Sequence, residues 1–530
     1  MKRRIRETKR IPILLGSILL VAFLLRLYKF HSWLFFGMDQ EYQALIVKNI
    51  INGQHFPLIG VNASDTGFYL GPFFSYFAAI PQLIFSGNPI GGALLSSLIG
   101  IIVCYLVYKI GKEMFSERIG LFASLFYGGS FLISFYDRQF WNPMLIPLFS
   151  LLIGFLLYQI LNNKPKRLLW LAFIFGLAVQ CHLSILIFLP LIIYILIIKR
   201  REFSQKIILT SLAIFIILQT PIILFDFRHN FTNSRAVVDI FSGKNQSTQA
   251  SSLKEKNTLF LSSLGRFFWL PSHPDLFLES GQCKELSGLR KDAYPESILF
   301  ILAGISIFIF LSLKKNVFSN SSRIVLGIFF LTLIFVEFYN RQIFEYYLLF
   351  FFPWLGILLG CSLNYIWQKE HGKIIAIPII SIFVILNLFT LFTANFSYSY
   401  NEKIATILFA KNYVSGGNYS LEAVGECSRY GGYRYLFEHF LGIPASSYMD
   451  SYFEWLYKDQ KIQSKPEKIV LLSIIDLRDK QSTIARWEEA KIKFLSENNV
   501  LKEGRFGKIQ ILILEPKSNG KKLFYSRSKT

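Results

Sequence analysis

A chain of 530 residues is long enough for several soluble domains, yet 53% of it is hydrophobic, 17% is aromatic, and its mean hydropathy is +0.42. Uncharged apolar runs of about 18 residues or more recur along it, and such runs cross membranes. A soluble globular or disordered protein is therefore excluded, and the formal charge of +22 suggests nucleic acid only until its distribution is read.

The charge lies in clusters between apolar runs: residues 2–10, 109–118 and 164–167, residues 199–202 with Lys206, Lys314 and Lys315 with Arg323, and Lys369 with Lys373. Together they hold 21 Lys or Arg against 5 Asp or Glu. That is the positive-inside pattern, with each cluster marking a cytoplasmic loop. The opening "MKRRIRETKR" and the apolar run after it resemble a signal peptide. No small-residue cleavage site follows, so the run reads as a retained first span.

An even number of spans must separate successive cytoplasmic clusters. Spans at 11–30, 90–108, 119–136, 143–161, 168–181, 183–198, 207–225, 298–313, 324–338, 346–366 and 374–393, eleven in all, satisfy every cluster. The stretch "GFYLGPFFSYFAAIPQLIF" at 67–85 then stays on the outer side, as a helix broken by Pro72 and Pro81. Arg26 and Lys29 fall at the outward end of the first span, where snorkelling or a lipid phosphate would accommodate them. The fold class expected is a polytopic α-helical membrane protein. Its membrane domain covers residues 1–393, with outer loops at 31–89 and 226–297, and a soluble α/β domain outside the membrane covers 394–530. Its strands are expected in "EKIVLLSIIDLRD" and "GKIQILILEP". The location expected is a plasma membrane, with the N-terminus cytoplasmic and the C-terminal domain outside. Cys104, Cys181, Cys283, Cys361 and Cys427 show no CxxC spacing, so neither a zinc site nor a disulfide framework is expected.

With the spans so placed, the polar residues beside apolar runs gather on the outer face. They are Asp39 and Glu41, "DRQFWNP" at 137–143, "QCH" at 180–182, "FDFRHN" at 225–230 and "NRQIFEYY" at 340–347. Ionisable groups at membrane depth are functional by default. From Asp39 onward Tyr42, Leu45, Ile46 and Ile50 recur at helical spacing, giving an amphipathic helix suited to the interface. Asp39 would cap it, with Glu41 in its first turn; capping also fixes where a carboxylate points. Arg138, Arg228, His229 and Arg341 sit at membrane edges, where guanidinium groups hold phosphate oxygens through paired hydrogen bonds. Each taken singly is equally well a headgroup contact. His182 and Trp141 suit the interface as they stand, and Trp141 also suits stacking on a sugar face. Asn142 and Tyr346 complete the candidate substrate contacts.

The motifs "MDQEY", "GFYLGPFF", "RQFWNPMLIP", "QCHLS" and "FDFRHN", in this order over the first 230 residues, resemble the GT-C glycosyltransferases, and within them the protein O-mannosyltransferase and aminoarabinose transferase group. The resemblance implies inverting transfer of a sugar from a polyprenyl-phosphate donor to an acceptor hydroxyl on the outer face, the acceptor being a protein, lipid or polysaccharide. It implies a general base at Asp39. The family has adjacent Asp and Glu, whereas Gln40 intervenes here before Glu41. Asp137 matches a second-loop acid of the related oligosaccharyltransferases, which in some holds a divalent metal; "DRQ" alone is not a metal motif. A phosphate leaving group needs positive charge more than an acid, unlike a glycosidase with its two carboxyl groups. Two other classes stay open. A transporter or flippase for a lipid-linked sugar would favour internal repeats and midplane polar groups, which the sequence does not show. A non-catalytic assembly or receptor protein would tolerate Asp39→Asn.

Overall fold

The computed structural model describes residues 2–63, 67–242, 251–271, 294–313, 319–339, 341, 343–394, 396–414, 418–425, 428, 431–450, 456, 466–476 and 481–517. Lys314, Lys315, Cys283 and Cys427, named above, lie outside them. The fold is mainly helical and divides into two compact units. One runs through Met1–Phe30, Ile46–Leu276 and Ser287–Asn395; the other takes His31–Leu45 and the chain from Phe396 on.

The first unit is built of apolar helices. Among the described residues six are long and apolar enough to cross a membrane: Pro89–Met114, Asn142–Leu161, Gln205–Arg228, Pro295–Leu313, Asn320–Phe338 and Gly372–Thr393. Five shorter apolar helices accompany them, at Ile11–Leu27, Phe73–Ile84, Arg167–Cys181, Leu183–Ile198 and Phe352–Trp367. The helix Phe73–Ile84 has 12 residues and so rises about 18 Å, short of the ~30 Å of hydrocarbon. Small residues let the helices approach closely. A Cβ on Gly360 would come within 2.8 Å of the Ile119 carbonyl oxygen, so Phe352–Trp367 lies against Glu117–Gly129 almost backbone to backbone.

The stretch 119–136, read above as one span, is two helices, Glu117–Gly129 and Phe131–Tyr136. The chain turns extended at Ser130 (ψ 123°). The break is satisfied from elsewhere: the Ser130 hydroxyl donates to the Phe267 carbonyl at 2.8 Å, and the Phe131 N–H donates to Asn387 Oδ1 at 2.7 Å. The segment 226–297, expected as an outer loop, also holds structure, the helices Thr232–Ser242 and Leu253–Phe268. The second is largely buried and begins with a capping box between Ser252 and Glu255.

Among the described residues the second unit holds one mixed sheet of five strands: β1 (Tyr419–Val424), β2 (Ser446–Ser447), β3 (Lys468–Ser473), β4 (Asn498–Phe506) and β5 (Ile509–Pro516), in the order β2-β1-β3-β5-β4. β1 pairs in parallel with β2 and β3; β5 pairs antiparallel with β3 and β4. The tight turn at Gly507 (φ +59°) joins β4 to β5. Alternate apolar residues of the central strands, Val424, Leu471, Leu512 and Leu514, pack against Trp487, Ala490, Phe494 and Leu495 of the helix Gln481–Glu497.

Candidate active site

The acidic pair lies in the first turn of the helix Met38–Ile51. Asp39 is exposed. Glu41 has no exposed surface, and its carboxylate accepts the Gly432 N–H at 2.8 Å on Oε2 and the Tyr435 N–H at 2.7 Å on Oε1. Those donors begin the helix Tyr433–Leu441, where N–H groups lack partners within the helix and a negative charge is favoured. Burial pushes the Glu41 carboxyl above its ordinary pKa; the two N–H bonds and the charges of Lys403 and Arg434 oppose the shift.

The backbone around this contact is equally constrained. Gly432 sits at φ +85°, and a Cβ there would meet the Phe36 carbonyl oxygen at 2.3 Å, so only glycine fits. Lys403, fully buried, donates to the carbonyls of Phe36 (2.8 Å) and Gly431 (2.7 Å) and lies 4.7 Å from the Tyr433 ring centroid. Burial lowers its pKa to about 7, against the pull of Glu41 and Glu402. The Tyr400 N–H donates to the Leu34 carbonyl at 2.8 Å. The apolar residues expected to lie in the membrane interface are instead taken into protein: Leu45 and Ile46 are 3% exposed and Ile50 9%.

In the first unit the candidates fall into separate groups. Asp137 is held by Arg26, whose Nη2 and Nε donate to Oδ2 at 2.6 and 2.9 Å. Arg26 also donates to the Ala22 and Gly128 carbonyls, at 3.0 Å each. The snorkelling expected of Arg26 is thus corrected: it is fully buried, because an acid 111 residues away neutralises it inside the bundle. Arg138 is buried as well and donates to the carbonyls of Arg26 (2.9 Å), Leu25 and Ser134 (3.3 Å). Its guanidinium faces protein carbonyls here rather than a lipid phosphate. The surroundings of Asp137 are cationic, which does not fit a divalent metal, and among the described residues no group of three or more His, Cys, Asp or Glu is placed to hold one.

Trp141, His182 and Tyr346 are brought together. Ring centroids lie 4.8 Å apart for Trp141 and Tyr346 and 5.8 Å for His182 and Tyr346, with Tyr347 at 5.3 Å from His182. Asn142 ties the group to the end of the helix Arg167–Cys181, its Nδ2 donating to the Cys181 carbonyl at 2.8 Å. His182 Nδ1 accepts the Ser184 N–H at 3.1 Å, which places the ring proton on Nε2. Arg228 and His229 are exposed at the end of the helix Gln205–Arg228, with His229 stacked on Phe225 at 4.2 Å. Arg341 is partly buried.

The family model for dolichyl-phosphate-mannose-protein mannosyltransferases matches residues 70–225. That segment begins after Asp39 and Glu41 and takes in Asp137, Arg138, Trp141, Asn142 and His182. No curated protein matches the chain significantly. Among solved structures, ArnT from Cupriavidus metallidurans bound to undecaprenyl phosphate superposes with a TM-score of 0.59 at 12% identity, covering 96% of this chain and 98% of that one. Its apo state gives the same values. The Archaeoglobus fulgidus oligosaccharyltransferase in the apo form superposes with a TM-score of 0.52 at 13% identity, over 87% of this chain and 69% of that one. The fold is that of the GT-C glycosyltransferases.

Within this GT-C fold two polar contacts escaped the sequence reading. Glu345, 3% exposed, accepts from Arg266 Nε at 2.7 Å and from the Tyr136 hydroxyl at 2.9 Å. Asp226, inside the quoted "FDFRHN", accepts the N–H groups of Asn233 (2.7 Å) and Ser234 (3.0 Å) and so caps the helix Thr232–Ser242. The capping signal for the helix of Arg266 was legible, since Ser252 and Glu255 stand at the S-x-x-E spacing. Nothing local marks Glu345 as the partner of Arg266.

Proposed function

We propose that the protein is an inverting glycosyltransferase that moves a sugar from a polyprenyl-phosphate donor to an acceptor hydroxyl at the outer face of a plasma membrane. The observation that carries the reading is a GT-C fold in which the first carboxylate after the first span, Asp39, is exposed on a helix whose start is anchored. Asp39 is the base that takes the proton from the acceptor hydroxyl as its oxygen attacks the anomeric carbon and the lipid phosphate departs. A positioned base contributes about 10²–10⁴-fold. Arg228, His229 and Arg341 are the proposed contacts to the departing phosphate, whose charge guanidinium groups match. Trp141, Asn142, His182 and Tyr346 are the proposed sugar contacts, since aromatic faces and neutral N–H donors suit a neutral ring.

The test supplies the purified chain in lipid with a panel of undecaprenyl-phosphate hexoses and pentoses and a membrane extract as acceptor source. Consumption of one donor, with its labelled sugar recovered on a component of the extract, is expected. Movement of the intact lipid across vesicles without sugar transfer would instead establish a transporter.

A further inference from the structure

The sheet domain of the second unit has no part in the reading so far, yet the first half of the helix carrying Asp39, as far as Leu45, clusters with it. We infer that this domain holds the base-bearing helix in place, and that Glu41 is the positioning residue through which it does so. The inference rests on the proposed reaction, and its structural half can be measured without it.

Five contacts converge on residues 34–41. The Glu41 carboxylate takes the first N–H groups of the helix Tyr433–Leu441. Lys403 grips the Phe36 and Gly431 carbonyls at once, so one ammonium joins the segment before the acidic helix to the glycine turn before the other. Tyr400 bonds Leu34 through the backbone. The Phe36 ring lies 5.7 Å from that of Tyr435 and the Phe35 ring 5.9 Å from that of Phe396. Buried charge-assisted bonds of this kind fix geometry, because breaking one leaves a buried group unsatisfied.

The spacing of the acids then has a physical meaning. Residues two apart on a helix point about 200° apart, so a buried Glu41 turns Asp39 outward. An adjacent acid pair would stand only about 100° apart, and the Gln40 insertion separates an anchor from a base. Glu41 is consumed by backbone donors and takes no proton from substrate.

The experiment compares Glu41→Gln and Lys403→Met with wild type in the full chain. Glutamine leaves one oxygen acceptor where the carboxylate has two, and methionine removes the double grip on Phe36 and Gly431. Hydrogen–deuterium exchange of residues 38–45 is expected to accelerate in both variants. In the donor assay kcat is expected to fall about 10- to 100-fold, the scale of a misplaced group, with KM for the donor lipid unchanged. The acidic limb of the kcat profile, set by Asp39, should persist. Unchanged exchange in both variants would overturn the inference. So would loss of the acidic limb in Glu41→Gln alone, which would make Glu41 the base. Accelerated exchange with unaltered kcat would leave the helix anchored but sink its link to catalysis. Failure of the donor reading itself shows separately, as wild type that consumes no donor while exchange still responds to Glu41→Gln.

Discussion

Asp39 and Glu41 share the first turn of one helix and have opposite surroundings: Asp39 is exposed, while Glu41 has no exposed surface and accepts the N–H groups of Gly432 and Tyr435. The pair is therefore not two equivalent acids. Turning one into the other's direction would require rotating the helix by about 160°, nearly half a revolution.

Lys403 makes the second unit sensitive to alkali in a defined sense. Its pKa is about 7 in the folded unit against an ordinary 10.5, so between those values the unfolded chain carries a proton that the folded one lacks. Stability then rises with pH across that window, by up to about 1.4 kcal/mol per pH unit. Glu41, raised by burial, acts in the opposite sense on the acid side: stability falls as pH climbs from 4.5 to its folded value. Denaturant unfolding of the full chain followed by tryptophan fluorescence, with Trp487→Phe as the reference that isolates the second unit's signal, from pH 7 to pH 10, is expected to show the rise in wild type and not in Lys403→Met. Equal profiles would contradict it.

The Arg26–Asp137 pair should behave as a buried ion pair. Replacing one partner, as in Asp137→Asn, leaves Arg26 charged and poorly compensated, at a cost of about 3–5 kcal/mol. The apparent melting temperature in detergent is expected to fall sharply. The double change Arg26→Met with Asp137→Leu should recover much of the loss, as a hydrophobic pair of similar volume does. A double variant no better than Asp137→Asn would contradict this account.

Trp141 offers a milder test of the aromatic group. Trp141→Phe keeps a six-membered ring against Tyr346 and removes the indole N–H together with part of the ring face. One neutral hydrogen bond to the sugar then predicts a KM for the donor about 3- to 10-fold higher with kcat little changed. Sugar-free undecaprenyl phosphate should bind both proteins equally. Weakened binding of the sugar-free lipid would move Trp141 from the sugar to the phosphate.

What the sequence showed follows from the range of each interaction. Strands β3 and β5 were legible in "IVLLS" and "IQILILEP", because apolar β-branched runs between turns carry their own pattern. The helix after Asp39 was legible from its spacing. The destination of its apolar side was not, because amphipathicity does not distinguish a membrane interface from a protein neighbour. Glu41 bonds to residues 391 and 394 positions away, and Arg26 to one 111 away; no local pattern encodes either. Ser130 looked like part of a continuous span because the two acceptors that relieve its broken helix, the Phe267 carbonyl and Asn387 Oδ1, are likewise remote in sequence.

Donor turnover by Asp39→Asn tests the central claim most directly. Asparagine keeps the size of aspartate and one carbonyl oxygen and removes its basicity. With the variant matched to wild type in melting temperature and in binding of undecaprenyl phosphate, kcat on the donor that wild type consumes should fall about 10²–10⁴-fold. Turnover equal to wild type would leave Asp39 a first-turn acid that only favours its helix and contradict the account.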